Sequence, residues 1–162
     1  PGVQATIAAL TLVQLLLFSF WRGLRDWTFT LDLKNLTLFQ SWRVLPGAAF
    51  LYYFYVLGKL PYDFAIVGGY GDILVAITAP FASKWASSTA KSGSVALLVW
   101  QVLALGDLAM VIKAALQNGL ADPESMQPLL HFPMALLPTI MVPLTLFVHF
   151  ISIAQLQRKL RS

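Results

Sequence analysis

Apolar residues run through this chain in long blocks separated by short polar stretches. The blocks cover about residues 3–21, 36–57, 64–82, 94–116 and 129–154. A helix rising about 1.5 Å per residue needs roughly 20 apolar residues to cross about 30 Å of hydrocarbon, and each block is close to that length. Lipid offers a backbone no hydrogen bonds, so helices are what such blocks form. The pattern predicts an all-α integral membrane helical bundle, a single domain over residues 1–162 with about five transmembrane helices. Little chain is left over, which leaves no room for an extra-membrane domain.

The polar links refine this picture. After the first block come Arg22, Arg25, Asp26, Asp32 and Lys34, with Trp27, Phe29, Leu31 and Leu33 alternating among them. In water that alternation reads as a strand. Near lipid an isolated strand leaves backbone groups unpaired, so a segment lying in the membrane interface is expected. The turn Gly58-Lys59-Leu60-Pro61-Tyr62-Asp63 is short enough to join only antiparallel neighbours. Residues 83–93 form a polar link, Asn118-Gly119 is a helix stop, and 121–127 is an acidic loop.

Charge orients the bundle. With Pro1 outside, eight basic residues face the cytoplasm: Arg22, Arg25, Lys34, Lys84, Lys91, Arg158, Lys159 and Arg161. Only Lys59 and Lys113 face out. This is a positive-inside pattern, and it puts the N-terminus outside and the C-terminus in the cytoplasm. Trp21, Trp42 and Trp85 fall at the inner boundary, and Tyr53, Tyr55 and Tyr62 at or near the outer one, as aromatic belts do. Composition agrees: 58% of residues are hydrophobic and 11% charged, against about 25% charged in soluble domains. The chain has no cysteine, which excludes disulfides, thiolate metal sites and a cysteine nucleophile. No basic segment precedes the first block, so it reads as a retained helix rather than a cleavable leader.

Four ionisable residues fall inside the predicted hydrocarbon: Arg43, Asp72, Asp107 and His149. Each costs a few kcal/mol near a helix centre and so needs a partner. Asp72 shares a helix face with Ala65, Gly69, Ala76 and Ala79, small residues that let another helix approach closely. Arg43 is roughly 10 Å from the inner end of its block. It either snorkels to the interface or reaches Asp72 on the antiparallel neighbour, and a forked guanidinium favours the pair. Asp107, on a face with Trp100, Ala104, Val111 and Ala114, makes a neutral interhelical hydrogen bond or relays a proton. His149 lies on a stripe with Pro138, Val142, Thr145 and Ser152. One imidazole can ligate a haem or chlorin metal, shuttle protons or bond a neighbour. His131 is roughly 27 Å away along the same block, too far to share a haem. Pro133, Pro138 and Pro143 recur every five residues and loosen the last block. The carbonyls they free, around Leu129, Met134 and Thr139, suit either a curved packing helix or the wall of a ligand cavity lined by Pro138, Thr139, Pro143 and Thr145. No catalytic residue, metal site or cofactor is assigned, and no basic–aromatic surface for nucleic acid is present.

Arg43 with Pro46-Gly47 and Phe50-Leu51, Gly58, Leu60-Pro61, Phe64-Ala65 and Gly69-Tyr70-Gly71-Asp72 resembles a set of small bacterial polytopic inner-membrane proteins of unassigned role. Gly106-Asp107, Leu137-Pro138-Thr139, Val142-Pro143-Leu144 and His149 resemble the same set, so the likeness spans residues 36–154. It suggests that the four polar residues form part of a shared core, and it carries over no catalytic roles.

Three readings of function follow. The first is a non-enzymatic auxiliary subunit or hydrophobic-ligand-binding bundle, with other membrane subunits or its own copies as partners in the lipid bilayer. The second is a redox or lipid-, quinone- or pigment-binding protein with a cavity lined by Asp72, Asp107 and His149. The third is an oligomeric proton pathway with Asp72 and Asp107 as relays.

Overall fold

A computed structural model describes residues 2–161, with the side chains of residues 9, 10, 12–14 and 16–161. Pro1 and the side chain of Gln4, the other amide of the first block, lie outside the described residues. Seven helices follow one another: α1 Gly2–Phe20, α2 Arg22–Thr30, α3 Leu33–Phe39, α4 Val44–Tyr55, α5 Tyr62–Ala86, α6 Lys91–Ala121 and α7 Val142–Arg161. A 3-10 turn, Gln40–Arg43, joins α3 to α4. A longer 3-10 segment, Pro123–Leu130, follows α6, and a π turn, Leu137–Met141, leads into α7. No strand occurs among the described residues. Three helical runs are long and apolar enough to cross a membrane: α5, α6 and Leu137–Arg161.

The second block is one bent rod from α3 through α4. Pro46 has no N–H to give the Trp42 carbonyl, and its ring crowds that group, so the preceding turn tightens into a 3-10 conformation. Helix α5 lies in the middle of the bundle. It packs against α3, the 3-10 turn and α4 on one side and α6 on the other; α6 meets α7, and α7 meets α1 and α3. The small-residue stripe makes this possible. Ala65, Gly69, Asp72, Ala76 and Ala79 are all buried. At Gly47 a Cβ would lie 2.7 Å from the Gly69 carbonyl oxygen and 2.8 Å from Ile73, so α4 and α5 approach as only glycine allows. Two apolar clusters bracket the bundle. One, with Phe50, Phe64, Val111 and Met126, lies towards the Gly58 turn; the other, with Ala82, Leu97 and Leu156, lies towards the Ser88 turn. The polar interior sits between them.

Two links are more helical than the sequence alone shows. Residues 22–30, expected as an interfacial segment, form helix α2, which satisfies its own backbone as a lone strand could not. The Gln155 amide nitrogen donates to the Thr28 and Leu31 carbonyls at 2.7 and 3.1 Å, tying the end of α2 to α7. The 83–93 link shrinks to residues 87–90, since α5 continues to Ala86 and α6 starts at Lys91. Lys159 at the end of α7 donates to the Ser88 carbonyl at 2.9 Å.

The fifth block is not one helix from residue 129. Its first part is the end of the 3-10 segment and a turn around the cis Phe132–Pro133 bond, and the helical run starts at Leu137. The prolines are the cause, and of the carbonyls they free, that of Met134 is taken locally. Leu137 N–H donates to Met134 at 3.0 Å. The π turn lets Val142 N–H reach the Leu137 carbonyl.

Gly47→Ala should therefore lower stability by about 1–3 kcal/mol, the usual cost of overpacking. Gly106→Ala, where a Cβ meets nothing of the chain itself within 4 Å, should be neutral or gain up to about 1 kcal/mol of helix propensity in the isolated chain. Thermal midpoints of the two variants in one nanodisc preparation check the contrast.

Candidate functional site: a buried polar core

The 3-10 turn before α4 places Arg43 inside the bundle, with 1% of its surface exposed. Its guanidinium serves two helices. Oδ1 of Asp72 on α5 accepts from Nε at 2.6 Å and lies 2.5 Å from Nη2. On α6, Nη2 donates to Oδ2 of Asp107 at 2.6 Å, and Nη1 donates to the Ala104 carbonyl at 3.1 Å. These are short, charge-assisted bonds, and the planar fork of arginine is what lets one side chain make all of them. Gly71 completes the fit: a Cβ there would collide with Oδ1 of Asp107. Asp107 thus reaches Arg43 across a surface that α5 keeps bare.

A second network lies one to two turns nearer the Ser88 end. Nδ1 of His149 is 2.7 Å from Oε1 of Gln101 on α6. The Gln101 amide nitrogen donates to Oγ1 of Thr37 at 3.4 Å, and the Thr37 hydroxyl donates to the Leu33 carbonyl at 2.8 Å. This chain has a direction. Thr37 spends its one proton on Leu33, so Gln101 must donate to it and present its oxygen to the imidazole. His149 therefore carries its proton on Nδ1, which leaves a lone pair on Nε2. Near this network, Trp100 Nε1 donates to Thr78 Oγ1 at 3.1 Å and ties α6 to α5.

The structure gathers Arg43, Asp72 and Asp107 into one cluster, whereas His149 bonds Gln101. Pro143 and Thr145 are buried, whereas Pro138 and Thr139 are half-buried in the π turn, with the Thr139 hydroxyl donating to Ala135 O at 2.6 Å. His149 is wholly enclosed. His131 is exposed, with Nδ1 2.9 Å from the Gln127 carbonyl. Among the described residues no group of three or more His, Asp or Glu is placed to hold a metal ion.

Sequence reasoning missed Thr37, Gln40 and Gln101, each fully buried. Gln101 gave one signal: it is the lone amide in the apolar middle of its block, three residues from Ala104, on the face that faces inward.

A family model described as a domain of unknown function, DUF8737, matches residues 1–157. The chain belongs to the DUF8737 family. No curated protein and no solved structure matches it. In this DUF8737 chain, the arginine clasp sets a clear expectation. Arg43→Met strands two carboxylates and should cost about 3–5 kcal/mol, the usual effect of breaking a buried ion pair. Adding Asp72→Leu and Asp107→Leu removes the stranded charges and should restore most of that loss, measured as recovery of the thermal midpoint.

Proposed function

We propose that the protein is a non-enzymatic, multi-pass protein of a bacterial cytoplasmic membrane that works as a subunit of a larger membrane assembly, with other chains or copies of itself. It crosses five times, the N-terminus outside and the C-terminus in the cytoplasm. Helix α1, at 19 residues, and the continuous rod from α3 through α4 supply the two crossings beyond the three apolar runs. The basic residues at the Ser88 end, among them Lys84, Lys91, Arg158 and Lys159, support this orientation.

One observation carries the proposal. The Asp107 side chain keeps 22% of its surface exposed. Around it on α6 stand Leu103 at 68% exposure, Gly106 and Met110 at 60%, the face that hydrocarbon would meet. A partly bare carboxylate is costly there. A further helix laid over this face removes the cost, and the open space at Gly106 gives it close approach. The other intramembrane charges are engaged in joining the protein's own helices, which favours a scaffold over an enzyme.

A proton pathway is favoured by one further observation. Two carboxylates face one guanidinium, leaving one negative charge for a proton or cation to balance. Proton flux into liposomes that is lost in Asp107→Asn would select this reading.

The cysteine-free chain makes the main test direct. Leu103→Cys and Met110→Cys should cross-link in native membranes, and gently extracted protein should have a native mass above the 17.9 kDa of one chain. A bare monomer with no cross-link at either position overturns the subunit reading.

A further inference from the structure

Seven buried polar side-chain atoms have no hydrogen-bond partner among the described residues: Oε1 of Gln14, both amide atoms of Gln40, Oγ of Ser41, Nε1 of Trp42, Oγ1 of Thr145 and Nε2 of His149. Gln40, Thr145 and His149 are at most 1% exposed. Buried polar groups in native proteins are almost always paired, with protein or with ordered water, and lipid cannot supply the pairing.

Four of these residues, Gln14, Gln40, Thr145 and His149, fall within about one helical turn of one another along the bundle. His149 and Thr37 are joined through Gln101, which fixes α7 against α3. Gln40 is one turn beyond Thr37 towards the Gly58 end. Thr145 is one turn beyond His149 in the same direction, because α7 runs opposite to α3 and α4. On α1, Phe18 meets Phe147 with ring centroids 6.2 Å apart, so Gln14, one turn before Phe18, falls at the height of residues 143–145. α7 packs against both α1 and α3. The unpaired atoms thus lie between the His149 network and the Arg43 clasp, contributed by α1, the 3-10 turn and α7.

Their chemistry narrows the occupant. Gln40 offers a donor and an acceptor, Thr145 a hydroxyl, Gln14 an acceptor and His149 a lone pair. None of these groups carries a charge, and the neighbouring Arg43 already bonds two carboxylates and a carbonyl. An anion or a cation would gain no countercharge at this level. A neutral molecule that both donates and accepts fits, and water is the smallest that does both. We infer that Gln14, Gln40, Thr145 and His149 form a binding site for internal water, which bridges α1, the 3-10 turn and α7 and links the His149 network to the turn that carries Arg43. Buried waters usually make two to four such bonds, and the site offers that many.

The inference does not depend on the subunit reading, and the sign of a stability change tests it. Gln40→Leu and Thr145→Val delete the polar atoms while nearly keeping the shape. If water bridges them, each variant should lower the thermal midpoint by roughly 2–6 °C, and the double variant by less than the two together. If the atoms are simply unpaired, both variants should raise the midpoint, and the inference fails. A second measurement needs neither variant. In His131→Asn protein, His149 is the only histidine, and its ring nitrogens should appear in a water-edited solid-state nitrogen NMR spectrum recorded in bilayers. Absence of magnetisation transfer from water to that ring overturns the site.

Discussion

One guanidinium answering two carboxylates and a backbone carbonyl, in a place with no bulk water, is the constraint on which the rest of this bundle depends. Arg43 cannot leave its partners without stranding charge, and they cannot leave it. The clasp therefore fixes three separate pieces of chain against one another: the bent rod before α4, the middle of α5 and the middle of α6. Apolar packing between membrane helices is weakly directional, because lipid tails compete with side chains on nearly equal terms. A buried ion cluster is directional and intolerant of slippage, so it sets the register that the apolar clusters at either end then fill.

The local sequence serves that geometry at several points. Pro46 tightens the turn that carries Arg43 inward. Gly47 and Gly69 bring α4 onto α5, and Gly71 clears the path by which Asp107 reaches across. These are backbone devices, and each acts by removing something: a donor, a side chain or a methyl group. The uncharged network of His149, Gln101 and Thr37 lies next to the clasp and orders α7 and α3 through hydrogen bonds alone. The core is thus a charged layer and a neutral polar layer stacked between two apolar ones.

Much of this was legible in the sequence. Block lengths identified the long helices, and the 3–4 spacing of Ala65, Gly69, Asp72, Ala76 and Ala79 identified the inward face of α5. The depth of Arg43 made Asp72 a natural partner. Asp107 was not assigned to the same arginine, because that contact depends on the register of α6 against α5. The polar run 83–93 read as a long link, whereas most of it is helix, and only the four-residue turn fixes the register. The last block misled for a different reason. Hydropathy does not distinguish a helix from an apolar turn, and the prolines ended regular structure ahead of Leu137 instead of merely bending it. Thr37, Gln40 and Gln101 escaped notice because a neutral polar residue barely disturbs an apolar average, although burial makes its hydrogen bonds obligatory.

The central claim is that one arginine holds both carboxylates at once. The most direct test is a solid-state NMR dipolar-recoupling measurement in lipid bilayers, between nitrogen-labelled Arg43 and carbon-labelled Asp72 and Asp107. The account predicts that both carboxyl carbons dephase strongly against the guanidinium, as hydrogen-bonded neighbours do. Dephasing of one carboxyl alone, or of neither, would contradict it and would remove the interaction that fixes the register of α4, α5 and α6.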